Sequence, residues 1–238
     1  MDDAARTTLI LVPGLLCDRL VWRATIAAFT ATHDIVVPVL DDLDTIPAMA
    51  ARLLDTAPRT FALAGHSLGG RIALEVLRQA PERVAALALL DTGVHPCSPG
   101  EPQQRQILLD IAAIQGMRAV ARAWLPPMVH PARRAEPAFM EPLEAMIERR
   151  TPRTFRNQVT ALLNRPDATP VLGSIRCPTC VICGRQDEWS PPAQHESIAA
   201  RISCARLAVI DDAGHMAPCE RPEAVVAELR HWLPMRSS

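Results

Sequence analysis

Six short apolar segments recur along the chain, and segments with helical spacing of apolar residues separate them. Each apolar segment is rich in valine, isoleucine and leucine and is nearly continuous in apolar character. That composition is typical of strands that are covered on both faces, as in a parallel sheet. The predicted strands are residues 8–12, 34–40, 60–64, 84–90, 179–183 and 206–210.

The helical spacing predicts helices over residues 22–31, 46–57, 68–79, 193–201 and 222–232. Alternating strands and helices are typical of a doubly wound α/β domain with a mostly parallel sheet. The alternation breaks in residues 96–171, where proline-punctuated helical segments contain no convincing strand. We therefore predict an α/β core formed by residues 1–95 and 172–238. Residues 96–171 form a helical cap, inserted after the fourth predicted strand.

The segment from Gly65 to Gly69 reads Gly-His-Ser-Leu-Gly and fits the pattern G-x-S-x-G between a predicted strand and a predicted helix. In such a turn the serine adopts a strained backbone conformation, and glycines two positions away on either side avoid clashes. The helix N-terminus, with its partial positive charge, then points at the reaction site. The pattern predicts that Ser67 is a nucleophile, and the alternative is a tight turn without a catalytic role.

A serine hydroxyl is a weak nucleophile and needs a general base. His215 directly follows the last predicted strand, and Asp187 follows the strand before it. Because ligands of open α/β sheets bind at the carboxyl ends of the strands, we expect these side chains to meet there. The order Ser, Asp, His fits this serine turn, with Asp187 orienting the imidazole. Asp91, at the end of the fourth predicted strand, is the alternative acid.

The negative charge that develops on an attacked carbonyl oxygen needs N–H donors, which form an oxyanion hole. One predicted donor is the backbone N–H of Leu68, next to the serine. The other is expected from the loop after the first strand, where Gly14 permits close approach of the backbone. We predict the N–H of Leu15 as this donor, with Leu16 as the alternative.

Other polar residues near these motifs have structural interpretations. His66 is expected to pack or to form a hydrogen bond while facing away from the base. Asp211 and Asp212 precede His215 too closely to orient it and are expected to shape the turn. Five further histidines lack a motif and are expected at the surface or in loops: His33, His95, His130, His195 and His231.

Three cysteines with the spacing C-x-x-C-x-x-C, at Cys177, Cys180 and Cys183, raise the question of a metal site. Residues three apart on a strand point to opposite faces. No second C-x-x-C and no histidine pair completes a set of four ligands. We therefore expect packed thiols, no metal and no cofactor.

Together these segments resemble the α/β-hydrolase family, specifically its small capped esterases, lactonases and perhydrolases. The resemblance covers nearly the whole chain and rests on four segments in family order: LILVPGLLCD, AGHSLGG, CPTCVICGRQDEWSPP and DDAGHMAPCERPEAV. It implies a cofactor-free serine hydrolase that cleaves a small ester, thioester or lactone through an acyl-enzyme on Ser67. One departure is Pro13 before Gly14, where the family often has histidine, so the oxyanion hole depends on Leu15 and Leu68.

Three alternatives use the same fold. A perhydrolase, of the non-haem haloperoxidase type, forms a peracid from an acyl-enzyme and peroxide. A hydroxynitrile lyase uses the triad as a base instead of as a nucleophile. The third alternative is a non-catalytic ligand-binding protein. A haloalkane dehalogenase is disfavoured because its nucleophile is an aspartate, where this chain has Ser67.

Large apolar side chains in the predicted cap and near the motifs are candidates for lining a substrate pocket. They fit the seam between cap and core equally well. The candidates are Leu16, Trp124, Met128, Phe139, Met140, Met146, Trp189 and Met216.

Residues 101–165 contain ten arginines and six acidic residues. The simpler interpretation of this positive excess is a solvated helix face. The alternative is attraction of an anionic acyl group or an acidic acyl-carrier protein. The candidate arginines are Arg133, Arg134, Arg149, Arg150, Arg153 and Arg156.

The composition limits the remaining classes. A chain of 238 residues, 49% hydrophobic, suits one sizeable domain with a modest insertion. A formal net charge of −1 provides no basic field for nucleic acid or an anionic membrane. No apolar stretch reaches about 18 residues, so we expect no membrane-spanning helix.

The cysteine count and the first residues bear on location. Seven cysteines, an odd number, are scattered through apolar segments and predict no disulfide framework. The opening MDDAARTT has no basic end followed by an apolar core, so we expect no signal peptide. All 25 basic residues are arginine, which indicates a bacterial, high-GC source. We predict a cytoplasmic bacterial protein.

Overall fold

All six predicted strands are present in the structure, a computed structural model that describes residues 6–233. Within these residues the strands form one parallel sheet with the order β2-β1-β3-β4-β5-β6. The predicted α/β class is confirmed. The strands are β1 (Thr7–Val12), β2 (His33–Val36), β3 (Phe61–His66), β4 (Val84–Leu90), β5 (Thr179–Gly184) and β6 (Ala205–Ile210).

Helices flank the sheet and connect its strands. Every residue of β3 and β5 is buried, as their continuous apolar character predicts. The helices are α1 (Arg23–Phe29), α2 (Ile46–Thr56), α3 (Leu68–Gln79), α4 (Glu101–Gln115), α5 (Met117–Trp124), α6 (Pro137–Glu148), α7 (Pro152–Leu163), α8 (Thr169–Leu172), α9 (Pro192–Ala199), α10 (Ala217–Glu220) and α11 (Pro222–Trp232).

Strand β2 is shorter than predicted, since it ends at Val36 and not at residue 40. Pro38 has no N–H to donate to a neighbouring strand, and among residues 6–233 the edge strand β2 pairs only with β1. The chain leaves the sheet here, and Val39 is 76% exposed. The other predicted elements differ from the observed ones by at most two residues at either end.

Helices α4–α8 form the connection between β4 and β5, where residues 91–178 of the described chain contain no strand. Helix α4 packs against α5 and α7, and α5 packs against α6. This α4–α8 segment corresponds to the predicted cap, and the division into core and cap stays a prediction. Among residues 6–233, no helix has the length and apolar character needed to cross a membrane.

The strand order creates a topological switch point. Strand β1 lies between β2 and β3, so the connections from β1 and β3 leave on opposite sides of the sheet. In doubly wound sheets the crevice at such a point, outside the carboxyl ends of the strands, is where ligands bind. The loop containing Leu15 follows β1, and Ser67 follows β3.

Candidate active site

Ser67 connects β3 to α3 with a φ of 54°, a backbone conformation that residues other than glycine rarely adopt. A Cβ at Gly65 would lie 2.3 Å from the carbonyl oxygen of Gly69. A Cβ at Gly69 would lie 2.1 Å from the carbonyl oxygen of Val12. Both positions therefore need glycine, because the start of α3 lies too close to β3 at Gly65 and to the end of β1 at Gly69 for a side chain.

A hydrogen-bonded chain joins three of the predicted residues. Ser67 Oγ lies 2.8 Å from Nε2 of His215, and Nδ1 of His215 lies 2.8 Å from Oδ2 of Asp187. The other carboxylate oxygen, Oδ1, accepts from the amides of Trp189 and Ser190 at 2.9 and 2.8 Å. The acid and the imidazole are both buried. Residues far apart in sequence thus converge at the carboxyl edge of the sheet.

The charge state of Asp187 follows from its surroundings. Burial alone would raise the pKa of this carboxyl, but the neighbouring charge of His215 and the hydrogen bond to it outweigh burial and lower the pKa. The amide of Ser190 also favours the ionised form. Asp187 is therefore a carboxylate that can hold the imidazole in one tautomer.

Asp91, the alternative acid, is wholly buried with a φ of 46°. Its Oδ1 accepts from the amide of Gly184 at 2.9 Å. Its Oδ2 lies 3.8 Å from Nε2 of His66 and has no hydrogen-bond partner within the described chain. Burial, reinforced by the charge of Asp187, raises the pKa of Asp91 well above its usual value. The structure thus brings Asp187, and not Asp91, to the imidazole of His215.

His66 forms the expected hydrogen bond, but it does not face away from the base. Its Nε2–H donates to the backbone carbonyl of His215 at 2.8 Å, and the two rings are 5.5 Å apart. Burial lowers the pKa of His66 to about 3, so the ring is neutral. It holds the backbone of His215, whose imidazole contacts Ser67.

The surface or loop location expected for five further histidines is wrong for His33 and His195, which are both buried. His195 accepts the amide N–H of Thr92 at 2.9 Å because α9 packs this face against β5 and β6. The spacing of His195, Ile198 and Ile202 is that of one helix face, a signal by which the sequence could have revealed its burial. Burial lowers the pKa of His195 to about 4.

The predicted oxyanion donors face the same cavity as the serine. Leu15 and Leu68 line it together with Ser67 and His215. In the part of the chain that the structure describes, neither leucine amide donates to a protein acceptor. The alternative donor is different, because the N–H of Leu16 donates to Oε1 of Gln158 at 2.9 Å. The geometry favours Leu15 over Leu16.

The cavity beside Ser67 has a volume of about 230 Å³. Of the predicted pocket residues, Trp124, Met128 and Trp189 line it. The others pack elsewhere; the sulfur of Met146, for example, accepts the amide N–H of Asp18 at 3.4 Å, in a seam between α6 and the loop after β1. The predicted pocket residues that lie outside the cavity are Leu16, Phe139, Met140, Met146 and Met216.

The cavity wall is more polar than the sequence suggested. Five charged side chains that were not predicted there line it: Arg71, Glu101, Arg105, Arg165 and Glu188. Two spacings could have revealed part of this group. Arg71 follows the serine by one helical turn, and Glu101 and Arg105 have the i, i+4 spacing of a helical ion pair.

The six arginines proposed to attract an anion lie outside this cavity. Arg149 pairs with Asp18 at 2.9 Å, and Arg150 pairs with Asp41 at 2.7 Å. Arg133 pairs with Glu136, and Arg134 donates to a backbone carbonyl. Much of the positive excess is thus used in contacts within the protein. Arg153 and Arg156 are exposed.

Within residues 6–233, no group of His, Cys, Asp and Glu side chains is arranged to hold a metal ion. Cys180 and Cys183 are buried on β5, and burial raises the pKa of each thiol to about 12. Neutral buried thiols are poor metal ligands, since the thiolate is the form that binds.

Comparison with known proteins shows which family the chain belongs to. Residues 9–229 match the model of the alpha/beta hydrolase family. The chain is 30% identical over 231 residues to polyketide synthase ThaQ of Burkholderia thailandensis, and the match covers 87% of this chain but 11% of that protein. It is 28% identical over 244 residues to a pimeloyl-(acyl-carrier protein) methyl ester esterase of Aromatoleum aromaticum, covering 92% of this chain and 94% of that one.

A solved structure agrees with these relatives. A thermophilic esterase from Thermogutta terrifontis, with malate bound, superposes with a TM-score of 0.87 at 29% identity. The superposition covers 96% of this chain and 90% of the esterase chain. The chain therefore belongs to the alpha/beta hydrolase family.

Proposed function

We propose that the chain is a carboxylic-ester hydrolase that cleaves a small ester, thioester or lactone without a cofactor. Ser67 Oγ attacks the carbonyl carbon while Nε2 of His215 takes the hydroxyl proton. The carboxylate of Asp187 holds the imidazole and stabilises the imidazolium that forms. The amides of Leu15 and Leu68 donate to the oxygen that becomes negative.

The tetrahedral intermediate then collapses. The bond from the carbonyl carbon to the leaving oxygen or sulfur breaks, and His215 returns the proton to that atom. An acyl-enzyme on Ser67 remains. Water, deprotonated by His215, attacks the acyl carbon, and the serine oxygen leaves with the proton. The products are a carboxylic acid and an alcohol or thiol, or a hydroxy acid from a lactone.

The observation on which this proposal rests is the pair of 2.8 Å contacts from Ser67 through His215 to Asp187. A base within hydrogen-bond reach of the nucleophile, itself held by a buried carboxylate, is the arrangement that activates serine. The esterases among the relatives support the same reaction class. A cavity of about 230 Å³ is smaller than the sites that enclose drug-sized ligands, which favours a small substrate.

The proposal also includes a cellular location for the protein and a partner that presents the substrate. All seven cysteines are free thiols, which supports a reducing bacterial cytoplasm. An acyl group presented by an acidic acyl-carrier protein is a further form of the substrate. The name of the Aromatoleum aromaticum relative and the exposed Arg153 and Arg156 support it.

The test is the Ser67→Ala variant, assayed on p-nitrophenyl butyrate beside the matched control Ser203→Ala, an exposed serine away from the cavity. We expect Ser67→Ala to abolish turnover and Ser203→Ala to keep it. A fluorophosphonate should add one adduct, located on Ser67 by mass spectrometry. Turnover retained by Ser67→Ala, or no adduct on folded wild-type protein, would contradict the proposal. Parallel assays with peroxide and with a cyanohydrin test the perhydrolase and lyase alternatives.

A further inference from the structure

The charged side chains that line the cavity wall carry a net positive charge. Glu101 accepts from Arg165 at 2.8 and 2.7 Å and from two nitrogens of Arg105 at 2.8 and 2.7 Å. Burial alone would raise the pKa of Glu101, but these arginines outweigh it and lower the pKa to about 2. One carboxylate therefore faces two guanidinium groups within the described chain, and Arg71 adds a third nearby.

Arg165 has no donor to spare for a ligand. Besides its contacts to Glu101, it donates to the backbone carbonyls of His95, Pro96 and Leu162. It is a structural residue that ties α7 to the loop after β4. Arg105 differs, since its Nη1 lies outside the hydrogen bonds of the described residues and its guanidinium lies 5.9 Å from the ring of Trp189, on the cavity wall.

Arg71 has no carboxylate partner among the described residues. Its one side-chain hydrogen bond there runs from Nη1 to the carbonyl of His95 at 2.8 Å. Burial and the charge of Arg165 lower the pKa of Arg71 to about 9, as expected for a cation that lacks a counter-ion. Glu188, the other carboxylate lining the cavity, is exposed at its edge.

The position of Arg71 relative to the serine is fixed by α3. It lies four positions after Ser67, which is about 6 Å along the helix axis and places both on one helix face. A Cβ at Gly93 would lie 2.9 Å from Nη2 of Arg71, so the glycine leaves room beside this nitrogen. Both Gly93 and Arg71 line the cavity that contains Ser67 Oγ.

We propose that Arg71, together with Nη1 of Arg105, binds a carboxylate of the substrate. The hydrolase is then selective for small esters, thioesters or lactones with a carboxylate a few carbon atoms from the scissile carbonyl. This inference rests on the proposed function of Ser67. The substrate carboxylate is then bound in the cavity wall, apart from the exposed Arg153 and Arg156 that support a carrier-protein partner.

The experiment compares monoethyl glutarate with its uncharged amide analogue, ethyl glutaramate, in a pH-stat. A second pair, butyryl glycolate and butyryl glycolamide, places the same charge on the leaving group. The wild type should prefer the anionic member of at least one pair in kcat/KM. In Arg71→Met that preference should fall by about 10- to 100-fold, the range of a hydrogen-bonded charge contact. Arg71→Lys should keep part of it, and Arg122→Met, which removes an exposed arginine of α5, should keep all of it.

Binding separates this inference from the proposed function. Calorimetry of glutarate with Ser67→Ala needs no turnover and should show binding that Arg71→Met in the same background abolishes. Glutarate binding without hydrolysis of any ester would support the anion site and contradict the hydrolase. Equal kcat/KM within both pairs, with no glutarate binding, would overturn the anion site even if both esters are hydrolysed. An equal loss for charged and uncharged esters in both Arg71→Met and Arg71→Lys would also overturn it, since it would make Arg71 structural.

Discussion

Exchanging Asp187 for asparagine tests the assignment of the acid through the tautomer of His215. The oxygen Oδ1 of Asp187 accepts two backbone amides, so the asparagine oxygen should take over that position. The asparagine NH₂ then replaces Oδ2, which lies 2.8 Å from Nδ1 of His215. Because NH₂ can only donate, Nδ1 must become the acceptor and the ring proton moves to Nε2. Nε2 is the atom that must accept the proton of Ser67.

The expected loss follows from this wrong tautomer. An aspartate-to-asparagine exchange that keeps the geometry but reverses the tautomer costs about 10⁴-fold in kcat in a serine protease. That factor corresponds to about 5.5 kcal/mol in the activation free energy. The assay is kcat on p-nitrophenyl butyrate for Asp187→Asn and wild type. Urea unfolding should confirm that the variant is folded, because both backbone amides keep their acceptor.

Asp91→Asn is the matched control, since it makes the same chemical change in the same buried region. Burial raises the pKa of Asp91 and so favours its protonated form, with which an asparagine is nearly isosteric. Its oxygen can still accept the amide of Gly184. We expect kcat to stay within about tenfold of wild type, well short of the loss expected at the triad. If Asp91→Asn loses as much activity as Asp187→Asn, or more, the acid is misassigned.

Two further predictions concern stability. Glu101→Gln should lower the free energy of unfolding in urea by about 3 kcal/mol, because it leaves two buried guanidinium groups facing a neutral amide. The control Glu148→Gln, which breaks an exposed pair with Arg118, should lower it by less than about 1 kcal/mol. Similar losses in the two variants would contradict the argument that burial makes the Glu101 contacts costly to break. His195 has a pKa lowered to about 4, so the unfolded chain takes up a proton below pH 6.5 that the folded chain does not. Stability should therefore fall with pH from about 6.5 to 4, by about 2 kcal/mol at pH 5 for this group. His195→Gln should reduce the difference between urea unfolding at pH 7 and pH 5, and an unchanged difference would refute the argument.

The sequence was sufficient for the sheet and for the convergence of the serine, the histidine and Asp187. Strands buried on both faces need continuous apolar segments, and such segments are visible without a structure. Each of the three residues lies within five positions of the end of a strand, and the carboxyl ends of parallel strands share one edge of the sheet. The long sequence separation between residues such as Ser67 and His215 therefore did not prevent the prediction that they meet.

The cavity wall was not predictable in the same way, because it depends on how the α4–α8 segment packs. Met128 and Met146 look alike in sequence, but one lines the cavity and the other is buried against the loop after β1. The contact of Glu101 with Arg165 joins the start of α4 to the residues after α7. No periodicity within one helix encodes a contact between two helices.

The packing of the α4–α8 segment also bears on the oxyanion loop. Gln158, on α7, accepts the N–H of Leu16, and the guanidinium of Arg150 donates to the carbonyl of Cys17. These contacts hold the loop after β1 to the α4–α8 segment. Because the N–H of Leu16 is occupied, Leu15 is the amide of this pair that stays available at the cavity. Arg150 therefore does more than solvate a helix face, since it holds the loop from which we propose that the second oxyanion donor comes.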